Sequence, residues 1–169
     1  MSITISLLQD ADLDQLMFVQ SQTYSSDLFE ARSFYTNRLA LSPHSCWKVS
    51  DSAGLMQGYL ISYPWQGSAP PALGQALNNL PAQPDQWFIH DCALLPAARG
   101  KGWSSLLLQQ GLQFARSQRL RWSSLVSLGK AREYWQAQGY TTVQLGPEQT
   151  EQLQAYGPES CMMRKPLSA

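Results

Sequence analysis

The sequence is poor in the residues that build metal and disulfide sites. It has two histidines and three cysteines among its 169 residues. The cysteines, Cys46, Cys92 and Cys161, are odd in number and lack metal-ligand spacing, so we expect reduced thiols and no metal cofactor. This pattern favours a cytoplasmic protein.

Charge and long apolar runs are also scarce. Charged residues make up 14% of the chain, hydrophobic residues make up 44%, and the formal net charge is zero. This composition excludes a disordered chain and a general polyanion binder, so we expect no nucleic-acid partner. No run approaches the roughly 18 apolar residues that a membrane span needs, and no charged-then-apolar leader opens the chain. We therefore expect no membrane association.

The remaining pattern predicts a single domain over residues 1–169. Alternating apolar runs and helical spacing predict the element order β-α-α-β-β-β-α-β-α-β-β. The strand, helix and strand over residues 87–128 imply one parallel crossover. The expected fold class is mixed α/β, with a central mixed sheet flanked by helices.

The basic residues are concentrated beside one glycine-rich turn. Residues 99–132 hold seven of the 12 Lys and Arg residues and no Asp or Glu. The window opens with Arg99-Gly100-Lys101-Gly102, which stands between the most apolar strand candidate, QWFIHDCALL, and an apolar helix. A helix start offers unpaired N–H groups, and glycines allow a phosphate to approach the backbone closely. The turn predicts an anion site, and the alternative is a tight strand-to-helix turn with solvated cations.

Two well-known phosphate loops do not fit this turn. The P-loop pattern GxxxxGK followed by Ser or Thr is absent. The dinucleotide pattern GxGxxG fails because Ser105 stands where the third glycine should be. An α/β nucleotide-binding protein, which would bind ATP or NAD rather than CoA, is an alternative that the missing glycine disfavours.

Two motifs resemble the GCN5-related N-acetyltransferase (GNAT) family. Arg99, Gly102 and Ser104 occupy the defining positions of its acyl-CoA motif, Arg/Gln-x-x-Gly-x-Gly/Ala, with serine replacing the usual last residue. The segment AREYWQAQGY resembles the family's later helix, which typically ends in an aromatic residue, three residues, Gly, and Phe or Tyr. Here Trp135 and Gly139 stand in that pattern. The predicted element order also resembles the family's fold across nearly the whole chain.

The resemblance implies acetyl-CoA as cosubstrate. Backbone amides from Arg99 to Ser104 are expected to hold the CoA pyrophosphate. The strand edge near Leu94 and Leu95 is expected to bind the pantetheine arm, with one amide facing the thioester oxygen. The expected cofactor-binding residues are Leu94, Leu95, Arg99, Gly100, Lys101, Gly102, Trp103, Ser104 and Trp135.

The implied activity is an acyl-CoA-dependent N-acetyltransferase that acts on a primary amine of a small molecule or peptide by direct attack in a ternary complex. Such a reaction needs a base, and His90 and Asp91 precede the pantetheine-contacting residues on the central strand. Histidine suits the role because it titrates near neutral pH. Strand alternation predicts that only one of the two faces the cleft. The alternatives are a core histidine and a structural carboxylate.

The expected acid is not fixed by the sequence. The family often has a tyrosine where Trp135 stands, and the adjacent Tyr134 is turned by about 100° along a helix. Tyr134 is therefore a candidate proton donor to the leaving thiolate, the alternative is a core aromatic residue, and water could serve as the acid instead. Glu30 is a candidate for binding a cationic substrate. The alternative, which we expect, is a solvated carboxylate at a helix start. The missing tyrosine leaves a catalytically inactive CoA-binding sensor or regulatory module as the alternative function.

The resemblance places the amine acceptor among three segments. They are the connection from Tyr24 to Glu30, the proline-rich residues 64–86, and the stretch from Gly146 to Pro158. The second of these holds five prolines and two glycines, which favours a binding loop. The predicted terminal strand pair leaves a homodimer possible.

Overall fold

The computed structural model describes residues 2–168 of the chain. Its strands are β1 (Ile3–Leu7), β2 (Trp47–Asp51), β3 (Met56–Trp65), β4 (Gln86–Leu94), β5 (Trp122–Ser127), β6 (Thr141–Thr142) and β7 (Cys161–Pro166). They form one sheet in the order β1-β2-β3-β4-β5-β7-β6. Strands β4 and β5 run parallel, and every other neighbouring pair is antiparallel. The predicted mixed α/β class is confirmed.

The helices pack on both faces of this sheet. They are α1 (Leu13–Thr23), α2 (Arg32–Leu41), α3 (Trp103–Ser117), α4 (Arg132–Ala137) and α5 (Pro147–Gln154). Buried side chains of α1 and α2 form one apolar cluster on the sheet, and those of α3 form a second. Helix α5 was not predicted, and β6 keeps only two residues of the expected strand YTTVQL. Within residues 2–168, no helix is both long enough and apolar enough to cross a membrane.

A β-bulge interrupts the pairing of β3 with β4. Ile61 pairs with Asp91, but the next residue, Ser62, pairs with Ile89, so His90 is the extra residue. A bulge breaks the strict alternation of side chains along a strand. His90 and Asp91 therefore both line the same cavity. The expectation that they point to opposite faces is wrong.

Strands β4 and β5 separate beyond Ile89, where their parallel pairing ends. On the other side of β4, the Leu95 amide donates to the Gln57 carbonyl at 2.9 Å. Because hydrogen-bonded pairs alternate in an antiparallel ladder, the amides of Cys92 and Leu94 point toward the gap left by β5. The strand edge expected near Leu94 is therefore present. The Leu95 amide is committed to β3 and does not face the gap.

Helix α3 approaches the sheet most closely at Gly111. A Cβ at this position would lie 2.0 Å from Cζ2 of Trp87, whose side chain is fully buried. We expect Gly111→Ala to destabilise the protein by about 1–3 kcal/mol through overpacking. This cost exceeds the gain of about 1 kcal/mol that alanine brings to a helix interior. The free energy of unfolding from denaturant titration measures the net effect.

The control for this prediction removes the atoms that the new methyl group would strike. Trp87→Phe shortens the aromatic side chain and is destabilising by itself because it leaves a cavity. Combined with Gly111→Ala, it should cost less than the sum of the two single changes. Additive costs, or a stabilised Gly111→Ala variant, would contradict the close approach of α3 and β4.

Candidate active site

The turn between β4 and α3 presents a row of backbone N–H groups. No backbone acceptor is found for the amides of residues 100–105 within the part of the chain that the structure describes. Gly100 and Gly102 have φ angles of +74° and +77°, and a Cβ on either would meet no protein atom within 4 Å. The space before the helix is therefore open to a ligand. The Arg99 amide differs, because it donates to the Pro96 carbonyl at 3.3 Å.

The side chains of the turn divide between solvent and core. Arg99 and Lys101 are exposed, and the Lys101 Nζ lies 4.8 Å from the centre of the Trp103 ring. Trp103 itself is 7% exposed and belongs to the apolar cluster beneath α3. The turn thus offers two cations and the Trp103 amide, while the indole supports the helix.

Two cavities connect this turn to the interior. The outer cavity, of about 250 Å³, is lined by Leu94, Arg99 and Ser104 among others. The inner cavity, of about 360 Å³, extends along the gap between β4 and β5. Both cavities are bordered by Cys92, Tyr134 and Trp135. The two cavities therefore adjoin along these three residues, one beside the turn and the other in the gap of the sheet, and we call them together the passage.

A buried pair of Glu30 and His90 lies on the wall of the inner cavity. An oxygen of Glu30 contacts Nε2 of His90, and the two side chains are 7% and 2% exposed respectively. The imidazole packs against Phe34 and Tyr63, with ring centroids 4.6 Å and 6.3 Å away. The expectation that Glu30 is a solvated carboxylate is wrong, because the connection after α1 folds it onto β4.

Each member of this pair keeps one polar atom without a partner. Oε2 of Glu30 and Nδ1 of His90 are both buried and have no hydrogen-bond partner within the described residues. An ionised carboxylate only accepts hydrogen bonds, so contact with Glu30 places the imidazole hydrogen on Nε2. The lone pair then lies on Nδ1. Unsatisfied buried polar atoms are rare and mark sites of ligand binding or catalysis.

Gln20 of α1 fixes the position of Glu30. Its side-chain oxygen accepts from the Glu30 amide at 2.8 Å, and its nitrogen donates to the Glu30 carbonyl at 3.1 Å. The hydroxyl of Tyr35 donates to the same side-chain oxygen at 2.6 Å. These bonds hold the residue before α2 against α1, so the carboxylate faces the sheet. No sequence pattern singled out Gln20.

Asp91 is held by two tyrosines. Tyr24 donates to one carboxylate oxygen, and Tyr59 donates to the other at 2.7 Å. Burial raises the pKa of Asp91, while the two hydrogen bonds and the neighbouring His90 oppose that rise. Burial and the charge of Asp91 raise the pKa of Tyr24 well above its usual value. Both oxygens of Asp91 thus accept a hydrogen bond, and this carboxylate forms part of the wall of the inner cavity.

The family model described as "Acetyltransferase (GNAT) family" matches residues 12–140, which span the bulged strand, the open turn and α4. The chain belongs to the GNAT acetyltransferase family. The resemblance seen in the two sequence motifs is thereby confirmed. No curated protein sequence matches the chain significantly.

Solved GNAT structures share the fold at low sequence identity. The loading GNATL domain of CurA from Lyngbya majuscula has a TM-score of 0.82 at 12% identity, with 99% of this chain and 98% of that chain covered. The GphF GNAT-like decarboxylase in complex with isobutyryl-CoA has a TM-score of 0.72 at 18% identity, covering 98% and 100%. The ribosomal-protein-S18-alanine N-acetyltransferase from Escherichia coli has a TM-score of 0.69 at 14% identity, covering 99% and 96%.

The GNAT helix α4 brings both of its aromatic side chains to the passage. Tyr134 and Trp135 are in edge contact, with ring centroids 5.0 Å apart, and each borders both cavities. Tyr134 is 44% exposed, while Trp135 packs on Tyr140 at 5.4 Å. The difference in helical angle therefore does not remove Tyr134 from the site. A phenol remains within this wall although tryptophan stands at the motif position.

Cys92 borders the same passage but has an unreactive thiol. Burial and the nearby charge of Asp91 raise the pKa of Cys92 to about 12. The thiolate is the nucleophilic form of cysteine, and little of it exists near neutral pH at such a pKa. This argues against Cys92 as a covalent acceptor of an acyl group.

The three segments expected near an acceptor each contribute a side chain to the inner cavity. These are Leu28, Leu73 and Tyr156. Two site residues that sequence reasoning missed, Gln20 and Tyr59, act through contacts between distant segments. Residues 2–168 contain no cluster of three or more His, Cys, Asp or Glu side chains suited to a metal ion.

Proposed function

We propose that this GNAT protein transfers an acetyl group from acetyl-CoA to a primary amine, by direct attack within a ternary complex. One observation supports the proposal: the cavity beside the unpaired amides of residues 100–105 and the cavity lined by the buried pair of Glu30 and His90 share three lining residues. The unpaired amides suit a diphosphate, and the pair of Glu30 and His90 suits an amine that must lose a proton.

The turn fits the phosphate end of acetyl-CoA. Its open amides stand at the start of α3, where the helix dipole favours negative charge, and Arg99 and Lys101 add to that field. The amides of Cys92 and Leu94, which point toward the gap between β4 and β5, bind the pantetheine arm in this proposal. An amide on this edge also stabilises the negative charge that develops on the thioester oxygen.

His90 acts as the base in this mechanism. An amine with a pKa of about 10.4 costs about 4.6 kcal/mol to deprotonate at pH 7, so proton removal is the larger barrier. Nδ1 of His90 accepts the proton, either directly or through one bridging water. Glu30 fixes the tautomer that leaves Nδ1 free and stabilises the imidazolium that forms.

Tyr134 is the proposed proton donor to the departing CoA thiolate, which becomes the free thiol. Its phenol borders both cavities and therefore lies where the acetyl group must pass. A thiol of pKa about 8.5 needs less assistance than the amine, so the contribution of Tyr134 is smaller than that of His90. With Cys92 protonated, the acetyl group moves directly from sulfur to the amine nitrogen.

The test is release of free CoA thiol from acetyl-CoA in the presence of an amine panel. The panel contains alkyl and arylalkyl amines, amino acids, polyamines and short peptides, and mass spectrometry identifies the acetylated product. Thiol release that depends on an amine supports the proposal. Binding of acetyl-CoA in calorimetry without any amine-dependent release would instead support a CoA-binding sensor. The replacement of the motif tyrosine by Trp135 favours that second function, and Tyr134 on the passage wall argues against it.

A further inference from the structure

The charges on the inner cavity wall have one sign. Glu30 and Asp91 are its acidic groups and His90 is its titratable base, while no Lys or Arg lines the cavity within the described residues. Oε2 of Glu30 is buried without a partner. A buried carboxylate oxygen needs a donor or a cation close by. This end of the cavity therefore suits one ammonium group and repels a carboxylate.

The buried cation Arg38 does not line the inner cavity. Arg38 is fully buried, and its guanidinium lies 4.2 Å from the centre of the Phe34 ring. It donates to the Gln75 carbonyl at 3.0 Å and to the side chain of Asn37. Arg38 thus stabilises the loop between β3 and β4. Because its guanidinium does not line the cavity, it does not pair with the carboxylate of an amino acid bound there.

The rest of the inner cavity is apolar. Apolar side chains from four separate parts of the chain meet there: Leu28, Leu73, Leu125, Val126, Leu128 and Tyr156. Apolar surface offers no compensation for a second charge or for an unpaired amide. The part of the acceptor beyond its amine is therefore hydrophobic.

A loop and the region of α5, which are tied to each other, form the roof on one side of the cavity. Leu73 lies on the loop of residues 66–85, and Tyr156 follows α5. The Tyr156 hydroxyl donates to the Pro71 carbonyl at 2.6 Å, and Gln149 of α5 donates to Ser68 of the loop at 3.1 Å. The volume of the cavity, about 360 Å³, fits a small molecule.

We infer that the acceptor is a small hydrophobic primary amine that carries a single ammonium group and no carboxylate. This inference rests on the proposed acetyl transfer and names the substrate class of its site.

A matched series of acceptors tests the inference on the unmodified protein. The probes are phenethylamine, L-phenylalaninamide, L-phenylalanine and the tripeptide Phe-Ala-Ala, with spermidine as a polycation. We expect kcat/KM to be about 100-fold higher for phenethylamine than for phenylalanine, because a ligand carboxylate would face Glu30 and Asp91. Phenylalaninamide should fall between them, and the tripeptide and spermidine should be poor acceptors. A preference for phenylalanine, the tripeptide or spermidine would overturn the inference.

A charge placed in the cavity should change this preference. Leu73→Lys adds a cation to the roof, while Leu73→Met changes the same side chain without adding charge. The ratio of kcat/KM for phenethylamine over phenylalanine should fall about tenfold in Leu73→Lys and stay nearly constant in Leu73→Met. An equal ratio in two folded variants would overturn the electrostatic argument. If Leu73→Lys fails to fold, the unmodified series still decides.

The outcomes separate this inference from the proposed function. Amine-dependent thiol release with the wrong preference leaves acetyl transfer intact and removes only the acceptor class. Absence of release with every amine, while calorimetry shows that acetyl-CoA binds, overturns both.

Discussion

Replacing His90 with glutamine is expected to lower kcat for acetyl transfer by about 10²- to 10⁴-fold. The glutamine side chain is not basic and cannot take over the role of Nδ1 of His90 in accepting the proton of the incoming ammonium. Most of the substrate would therefore stay charged and unreactive. The affinity for acetyl-CoA should stay within about twofold of the original value, because the open amides of the turn are untouched. Initial rates of thiol release and calorimetric titration with acetyl-CoA measure the two quantities.

The second histidine supplies a matched control. His44 is exposed and lies outside both cavities, so His44→Gln should leave kcat unchanged. Glu30→Gln should cause a smaller loss than His90→Gln, because the imidazole stays but its tautomer is no longer fixed. A His90→Gln variant with more than half of the original rate would remove His90 from the mechanism.

The turn and its helix were predictable because their determinants are local. Gly100 and Gly102 permit the positive φ angles, the strand before them is strongly apolar, and the helix begins directly afterwards. The local sequence of this turn is therefore sufficient to predict its backbone conformation and the start of α3. The same holds for the hairpin between β2 and β3, where Gly54 has a φ angle of +80°.

The polar wall of the inner cavity, formed by Glu30, His90 and Asp91, was only partly predictable because its positions depend on pairings between distant segments. His90 was proposed as a base on chemical grounds, but the bulge that brings Asp91 to the same cavity depends on the register of β3 against β4. Glu30 was expected in solvent because its local sequence shows only a helix start. Its burial depends on Gln20, ten residues earlier, and on His90, sixty residues later.

Helix α5 illustrates a different limit. Its residues, Pro147–Gln154, are mostly polar, and none of them is buried. A helix with so little apolar surface has weak hydrophobic periodicity, which is the main signal available in a sequence. The contact between Gln149 and Ser68 ties it to the loop over the inner cavity. Its role in the site therefore appears only when both segments are placed together.

Gly102→Asp is expected to weaken acetyl-CoA binding by at least about 100-fold. A side chain at Gly102 would project into the open space before α3, and a carboxylate there would repel the diphosphate that the turn is proposed to hold. Asparagine has nearly the same shape as aspartate, and both tolerate positive φ better than most residues. Gly102→Asn should therefore weaken binding less, by about tenfold, and the difference between the variants isolates the charge. Calorimetric Kd values measure both effects.

Gly54→Asp controls for backbone strain, because Gly54 has a φ angle of +80° and equally open surroundings in the hairpin turn. This variant should lose stability comparable to that lost by Gly102→Asp and keep its acetyl-CoA affinity. The gap between Gly102→Asp and Gly102→Asn should also narrow as ionic strength rises, because salt screens exposed charges. Equal Kd values for the two Gly102 variants at low salt would mean that no anionic group binds beside this glycine, and the proposed phosphate site would then be lost.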